Sequence, residues 1–187
     1  ITAQLLQPVA PDAAEILKQI KYVSTATVTL AYKKEGFSHA LDGFGFVVPK
    51  CEGRSILACT WTSSKFPHRA PEGYVMIRCY LGGALQEEIA EKDESTLITL
   101  VRQDLKEIMG VCEEPVFSKA FHNRKSNVQY HVNHSQRIDA VMQGLESGLF
   151  LAGSAYRGIG IPDCIQSGTQ SAESAIQLLM GKSNAEI

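Results

Sequence analysis

Polar and apolar positions alternate most clearly from Tyr22 to Tyr32, where Val23, Thr25, Thr27, Val28 and Thr29 supply β-branched side chains and Val28, Leu30 and Tyr32 share one face. That pattern predicts a strand. Ser55 to Trp61 and Gly73 to Leu81 read as two more, while Asp42 to Pro49 is glycine-broken and then strand-like until the proline. Polar, turn-forming separators between these runs favour an antiparallel meander. From Lys92 to Met109 the apolar positions shift to helical spacing, with Leu97, Leu100, Val101, Leu105 and Ile108 in phase and Gly110 behind them. This predicts a helix lying over the sheet. A short amphipathic helix is expected to start at Pro11 or Asp12 and carry Ala13, Ala14, Ile16, Leu17 and Ile20, and another runs from Ser135 to Leu145. Glu113 to Phe121 is a further strand candidate, Gln129 to Val132 a short extended piece, and the apolar run Leu149 to Ala152 a buried strand. The fold class expected is α+β: a mixed, mainly antiparallel sheet backed by helices, followed by a C-terminal strand-loop-helix.

Composition narrows the function. Of 187 residues, 44% are hydrophobic and 20% charged, which suits a globular chain with a real core. A formal charge of -2, with no long Lys/Arg run, gives no attraction to nucleic acid. The five cysteines, Cys51, Cys59, Cys79, Cys112 and Cys164, are widely spaced and form no Cys-x-x-Cys pair. Reduced thiols in a cytoplasmic protein fit that spacing better than a zinc site or disulfide framework. No signal peptide or membrane span is readable, and the opening Ile1-Thr2-Ala3 inside an amphipathic pattern reads as a piece of a longer chain.

The chemistry concentrates between Gly148 and Ala175. Gly153, Gly158 and Gly160 crowd into one loop, where a missing Cβ allows sharp turns or close approach to a ligand. Pro162 and Asp163 then open a helix, whose N-terminal N–H groups suit an anionic or electron-rich group. Elsewhere the signals are weaker. His122, His131 and His134 have no recognised metal spacing, so no metal site is expected. Ser63 and Ser64 near His68 lack an orienting third group and read as loop polar groups, leaving no assigned catalytic residue. No Gly-x-Gly-x-x-Gly unit, the mark of a dinucleotide fold, occurs.

Tyr156-Arg157-Gly158-Ile159-Gly160-Ile161-Pro162-Asp163-Cys164-Ile165, with Ser167-Gly168 and Ala172-Glu173, resembles the C-terminal flavin-binding signature of oxygen-dependent porphyrinogen oxidases. These are haem-pathway members of the amine-oxidase-like flavoprotein superfamily. Asp42 to Pro49, Ala58 to Trp61, Ser63 to Pro71 and Arg78 to Ala84 are similar to further motifs of the bacterial members, in the same order. The resemblance implies residues 1–146 as substrate-binding-type sheet and helices and 147–187 as the closing flavin-binding segment. It implies FAD in the full-length parent, with Gly153, Ser154, Gly158, Ile159, Gly160, Ile161 and Asp163 lining it. The resemblance has Cys164 supporting the helix start, whereas the residue by itself reads more readily as a small buried side chain. With the flavin packed against this backbone, a Cβ at Gly160 is expected to collide with the ring system and to strain any left-handed conformation. Arg69, Arg78 and Arg157 are candidates for substrate propionates, although each alone reads more readily as an ordinary surface or ion-pair arginine. The substrate implied is a porphyrinogen, protoporphyrinogen or coproporphyrinogen, oxidised with O2 as acceptor. The partners implied are a missing N-terminal nucleotide-binding half and a membrane surface, peripherally, for the parent. Gln129, Tyr130, Val132 and His134 match a family segment that lies beside the flavin, whereas Val128 stands at its Pro, Asn133 at its Gly and Asn123 near its Trp. These departures imply weakened cofactor affinity. A non-catalytic module binding a tetrapyrrole or a protein is the alternative reading.

Overall fold

A computed structural model of the chain describes residues 1–183, with side chains through Gly181. It divides into two compact units, one from Val23 to Asn127 and one formed by Ile1–Tyr22 together with the residues from Val128 onward. The expected division at 146/147 follows the functional motifs, whereas these units follow packing.

The central unit is built on five strands, β1 (Tyr22–Lys33), β2 (Gly45–Val47), β3 (Ile56–Trp61), β4 (Tyr74–Gly82) and β5 (Phe117–Val128), in the order β2-β3-β4-β1-β5. β1 pairs antiparallel with β4 from Thr25↔Gly82 to Lys33↔Tyr74, and β3 joins β4 and β2 in the same sense. The period-two reading thus gives a largely antiparallel sheet. Val28 and Leu30 are fully buried, as are Cys79 and Ile77 facing them on β4. Over this face lies α4 (Glu94–Met109), the fourth helix after α1 (Thr2–Leu6), α2 (Pro11–Lys18) and α3 (Thr62–Lys65).

The ends of α4 are chemically set. The Asp93 carboxylate accepts the Thr96 N–H at 2.9 Å, and Gly110, at φ 72°, closes the helix in the left-handed region. Leu97, Val101 and Leu105 are fully buried, while Ile108 of the expected stripe stays exposed. Asp104 takes a place on the buried face. Its Oδ2 accepts the N–H groups of Ser55 and Ile56 at 2.9 and 3.0 Å, so a carboxylate fastens the start of β3 to the helix. Also in the core, Cys59 and Cys79 stand opposite one another on β3 and β4. Their mutual thiol hydrogen bond, together with burial, pushes the Cys79 thiol well above its ordinary range and keeps it neutral.

The last strand departs from expectation. Glu113 to Phe121 was the sequence candidate, but β5 begins at Phe117 and continues to Val128 through Asn123, Arg124, Lys125, Ser126 and Asn127. These residues are exposed, so no alternation marks them; at the strand's end only Val128 is buried. The ladder to β1 holds the strand, although Lys125, at φ 44°, interrupts its extended backbone. Lys125 Nζ and the Ser24 N–H both meet Glu87 Oε1 at 2.6 Å, and these bonds, Lys125 first, lower the Glu87 carboxyl to about 2.

The other unit is helical. α1, α2 and α5 (His134–Gln143) enclose Leu6, Ala13, Ala14, Leu17, Ile138, Val141 and the ring of Tyr156. α6 (Ile161–Ser183) follows the glycine loop. The C-terminal strand expected at Leu149 to Ala152 is absent: these residues are irregular and half-buried to exposed. A strand needs a neighbour for its amides, and among the described residues none lies beside this run. The segment is held instead by α6, where Ser171 Oγ donates to the Leu151 carbonyl at 3.1 Å. The expected Gln129 to Val132 extension is likewise not a strand: residues 129–131 are irregular, and the chain turns at Val132 and Asn133 into α5. Residues 184–187 of the proposed flavin segment lie outside the described residues.

Candidate functional site

The glycine loop and the start of α6 form a site within the helical unit. Gly153 and Gly158 adopt φ 126° and 134°, which exclude ordinary side chains. The Gly153 N–H donates to Ser167 Oγ at 3.2 Å, tying the loop's entrance to α6. At its exit, the Gly160 N–H donates to Asp163 Oδ2 at 3.0 Å, while the Cys164 N–H donates to the Gly160 carbonyl. Asp163 thus acts as the back-reaching member of a capping arrangement, and its own charge occupies the positive end of the helix. The expected pull on an anion is correspondingly reduced. Cys164 is half-buried, not a core side chain.

The glycines answer first to Asp163. A Cβ on Gly158 would stand 2.6 Å from Asp163 Cβ and Cγ, and one on Gly160 would stand 2.9 Å from Oδ2. Of the two, the positive φ belongs to Gly158 and not to Gly160, so the strain of an added Cβ in such a conformation falls on Gly158.

What holds Gly158 in place is Tyr130, a residue not among the expected cofactor contacts. Tyr130 Oη donates to the Ser154 carbonyl at 2.7 Å and accepts the Gly158 N–H at 2.8 Å. Its ring stacks on His134 at 3.9 Å between centroids and 12° between planes. His134 Nε2 contacts the Tyr156 carbonyl at 3.1 Å, so this nitrogen carries the proton. Asn133, in place of the family's glycine, has φ 65° and ψ 21° at the head of α5. Asn tolerates that region better than other side chains, so this departure costs the local fold little. Nearby, burial, then the phenols of Tyr156 and Tyr130, raise the Tyr22 hydroxyl and keep it protonated.

The side chains of the loop point the other way. Ile159 is 67% exposed, Ile161 78% and Ile165 65%, a run of bare apolar surface at one end of α6. An open cleft of about 630 Å³ lies elsewhere in this unit, lined by Met142, Leu149, Tyr156, Arg157 and Gln170 among others. Arg157 is the one expected site residue it touches. Its guanidinium pairs with Asp139.

Arg69 and Arg78 belong to the sheet unit. Arg78 lies on β4 between Met76 and Tyr80, on the half-buried face opposite α4, with Nε directed to Thr29 Oγ1 at 3.4 Å. Arg69 is exposed in the turn before β4, 5.8 Å from the Phe66 ring. Just before it, in α3, Ser63 Oγ accepts the Met76 N–H and Ser64 Oγ donates to the Leu41 carbonyl, so the two hydroxyls expected in a loop instead hold this short helix to its neighbours. His122 Nδ1 meets the Ala90 carbonyl. Among the described residues no three His, Cys, Asp or Glu side chains are grouped to hold a metal ion, and no helix is long and apolar enough to cross a membrane.

These features agree with the comparisons. Residues 2–176 match the model of the flavin containing amine oxidoreductase family. The chain is 36% identical over 166 residues to the coproporphyrinogen III oxidase of Bacillus subtilis (strain 168), covering 87% of this chain and 35% of that protein. Against the chloroplastic protoporphyrinogen oxidase of Oryza sativa subsp. japonica the identity is 29% over 184 residues, or 92% and 34%. A crystal structure from Exiguobacterium sp. 255-15 superposes with a TM-score of 0.79 at 30% identity, covering 98% of this chain and 40% of that one. The chain therefore spans about a third of the length of the curated relatives it matches. With its glycine loop, capped helix start and largely antiparallel sheet, the chain belongs to the flavin containing amine oxidoreductase family.

Proposed function

We propose that this chain is part of an FAD-dependent oxidase that converts a porphyrinogen into a porphyrin in haem biosynthesis, with O2 as acceptor. Residues 147–187 would be its flavin-binding segment, and residues 1–146 its substrate-binding sheet and helices. One observation carries the reading. The loop from Gly153 to Asp163 has the N–H groups of Gly153, Gly158 and Gly160 satisfied from within the chain, yet leaves Ile159, Ile161 and Ile165 bare. Such a surface suits a flat ring system better than a phosphate, which needs free N–H groups and an uncancelled positive helix end. Relatives named as coproporphyrinogen and protoporphyrinogen oxidases support the same activity.

When bound, FAD would take up the hydrogens removed from the porphyrinogen and pass them to oxygen as hydrogen peroxide. The chain's own task is binding and orientation. Gly153, Ser154, Gly158, Ile159, Gly160, Ile161 and Asp163 would line the ring system. Arg78, on the open face of the sheet, has donors to spare for a propionate carboxylate, and Arg69 stands as a second donor in the loop before β4. Arg157 would first have to leave Asp139. Because the chain has no Gly-x-Gly-x-x-Gly unit, the adenine and pyrophosphate would be held by a nucleotide-binding half elsewhere in the whole protein. Free cysteines fit a cytoplasmic location, and the family resemblance adds a peripheral membrane contact, which cell fractionation of the whole protein reads.

The whole protein and this chain, each passed over a desalting column after mixing with FAD, test the reading. The whole protein is expected to keep its yellow flavin and to form porphyrin fluorescence and peroxide from coproporphyrinogen or protoporphyrinogen. The chain alone is expected to keep little or none. Arg78→Ala should raise KM about tenfold with a smaller change in kcat. A whole protein that holds no flavin and makes no peroxide would overturn the proposal in favour of a non-catalytic binding module. Stoichiometric flavin on the chain alone would show that the adenine half is not needed.

A further inference from the structure

We infer that Tyr130 is a positioning residue that fixes the shape of the flavin-facing loop, an inference that rests on the reading of that loop given above. Its hydroxyl is bonded to both sides of the loop's neck, to the carbonyl of Ser154 on one side and the N–H of Gly158 on the other. One oxygen therefore serves as donor and acceptor, and the two backbone groups it joins cannot separate without breaking a bond. The ring is braced in turn. It lies flat on His134, which is itself buried and bonded to the carbonyl of Tyr156, midway along the same neck. Residues 130 and 134 thus hold three backbone groups between 154 and 158 from a segment far removed in sequence. Tyr156 is anchored beneath, its ring buried in the helical core.

The consequence concerns Gly158. At φ 134° it lies in a region that a flexible loop leaves readily, and its N–H points inward because Tyr130 Oη receives it. With the phenol gone, the Ser154 carbonyl and Gly158 N–H turn to water, and Ile159 to Ile161 no longer share a fixed orientation. A ligand that packs on this surface would then have to order it on binding, with a matching loss of affinity.

Tyr130→Phe removes the hydroxyl and keeps the ring on His134, so the fold should survive; an unchanged melting temperature checks that. In this chain without flavin, amide exchange at Gly158 is expected to rise about tenfold. In the whole protein, FAD should dissociate about ten times more readily while KM for the porphyrinogen stays unchanged. Unchanged exchange at Gly158 would show that the bond does not hold the loop. Faster exchange with unchanged FAD affinity would show that the loop's shape does not matter to the flavin. Either result overturns the inference. If the wild-type whole protein binds no FAD, the flavin reading itself fails, and exchange at Gly158 still decides whether Tyr130 holds the loop.

Discussion

Gly45→Ala is expected to cost roughly 3 to 5 kcal/mol, the sum of backbone strain and overpacking, and to lower the melting temperature by about 10 °C or more. Gly45 opens β2 at φ 131°, and a Cβ there would lie 1.9 Å from the carbonyl oxygen of Cys59 and 2.9 Å from Thr60 Cα. Both are backbone atoms of the partner strand, so no side-chain rotation relieves the clash. β2 must move away from β3, exposing Phe46 and the Trp61 side of the core. Gly53→Ala separates the two causes, since φ is 64° but nothing stands within 4 Å of its Cβ. It should lose only about 1 kcal/mol, the left-handed penalty alone. Equal melting temperatures for the two variants would refute the crowding at β2.

Gly158→Ala should have the largest effect on the proposed flavin site. The added methyl would meet the Asp163 side chain at 2.6 Å in a conformation, φ 134°, that alanine rarely adopts. Moving Asp163 aside removes the acceptor of the Gly160 N–H, so the loop's exit and the first turn of α6 shift together. In the whole protein, the affinity for FAD is expected to fall roughly five- to 150-fold, in line with about 1–3 kcal/mol of strain. Gly160→Ala should be milder, because it meets only the far end of the carboxylate, at 2.9 Å. Gly168→Ala, within α6 and with nothing inside 4 Å, should be neutral or slightly stabilising. Normal flavin content in Gly158→Ala alongside loss in Gly168→Ala would refute the role given to the loop.

Most of the sheet and α4 could be read in the sequence because burial on one face imposes a period on side chains, and Gly110 marks a helix end by its own chemistry. What escaped depends on partners distant in the chain. Leu149 to Ala152 has a strand's composition, but composition cannot supply a neighbouring strand. The exposed end of β5 carries no alternation, since neither face there is covered. Asp104 breaks the apolar stripe of α4 for the sake of amides 48 and 49 residues away. The glycine loop announced itself through Gly153, Gly158 and Gly160, whereas the hydroxyl that shapes it comes from Tyr130, with partners 24 and 28 residues on. The family motif contained Tyr130 and His134 but did not say what either touches.

The helical unit is drawn from both ends of the chain, and this has a thermodynamic consequence. Its two segments, residues 1–22 and those from Val128 onward, are joined covalently through the sheet unit, where β1 and β5 are neighbours. With the sheet folded, the segments are tethered by a short gap, which Gln129 closes by donating its N–H to the Lys21 carbonyl at 2.8 Å. With the sheet unfolded, the same tether becomes a long random coil, and the effective concentration of α2 for α5 falls. Damage at β2 is therefore transmitted to helices that lose none of their own contacts, so Gly45→Ala should reduce amide protection in α2 and α5 as well as in the sheet.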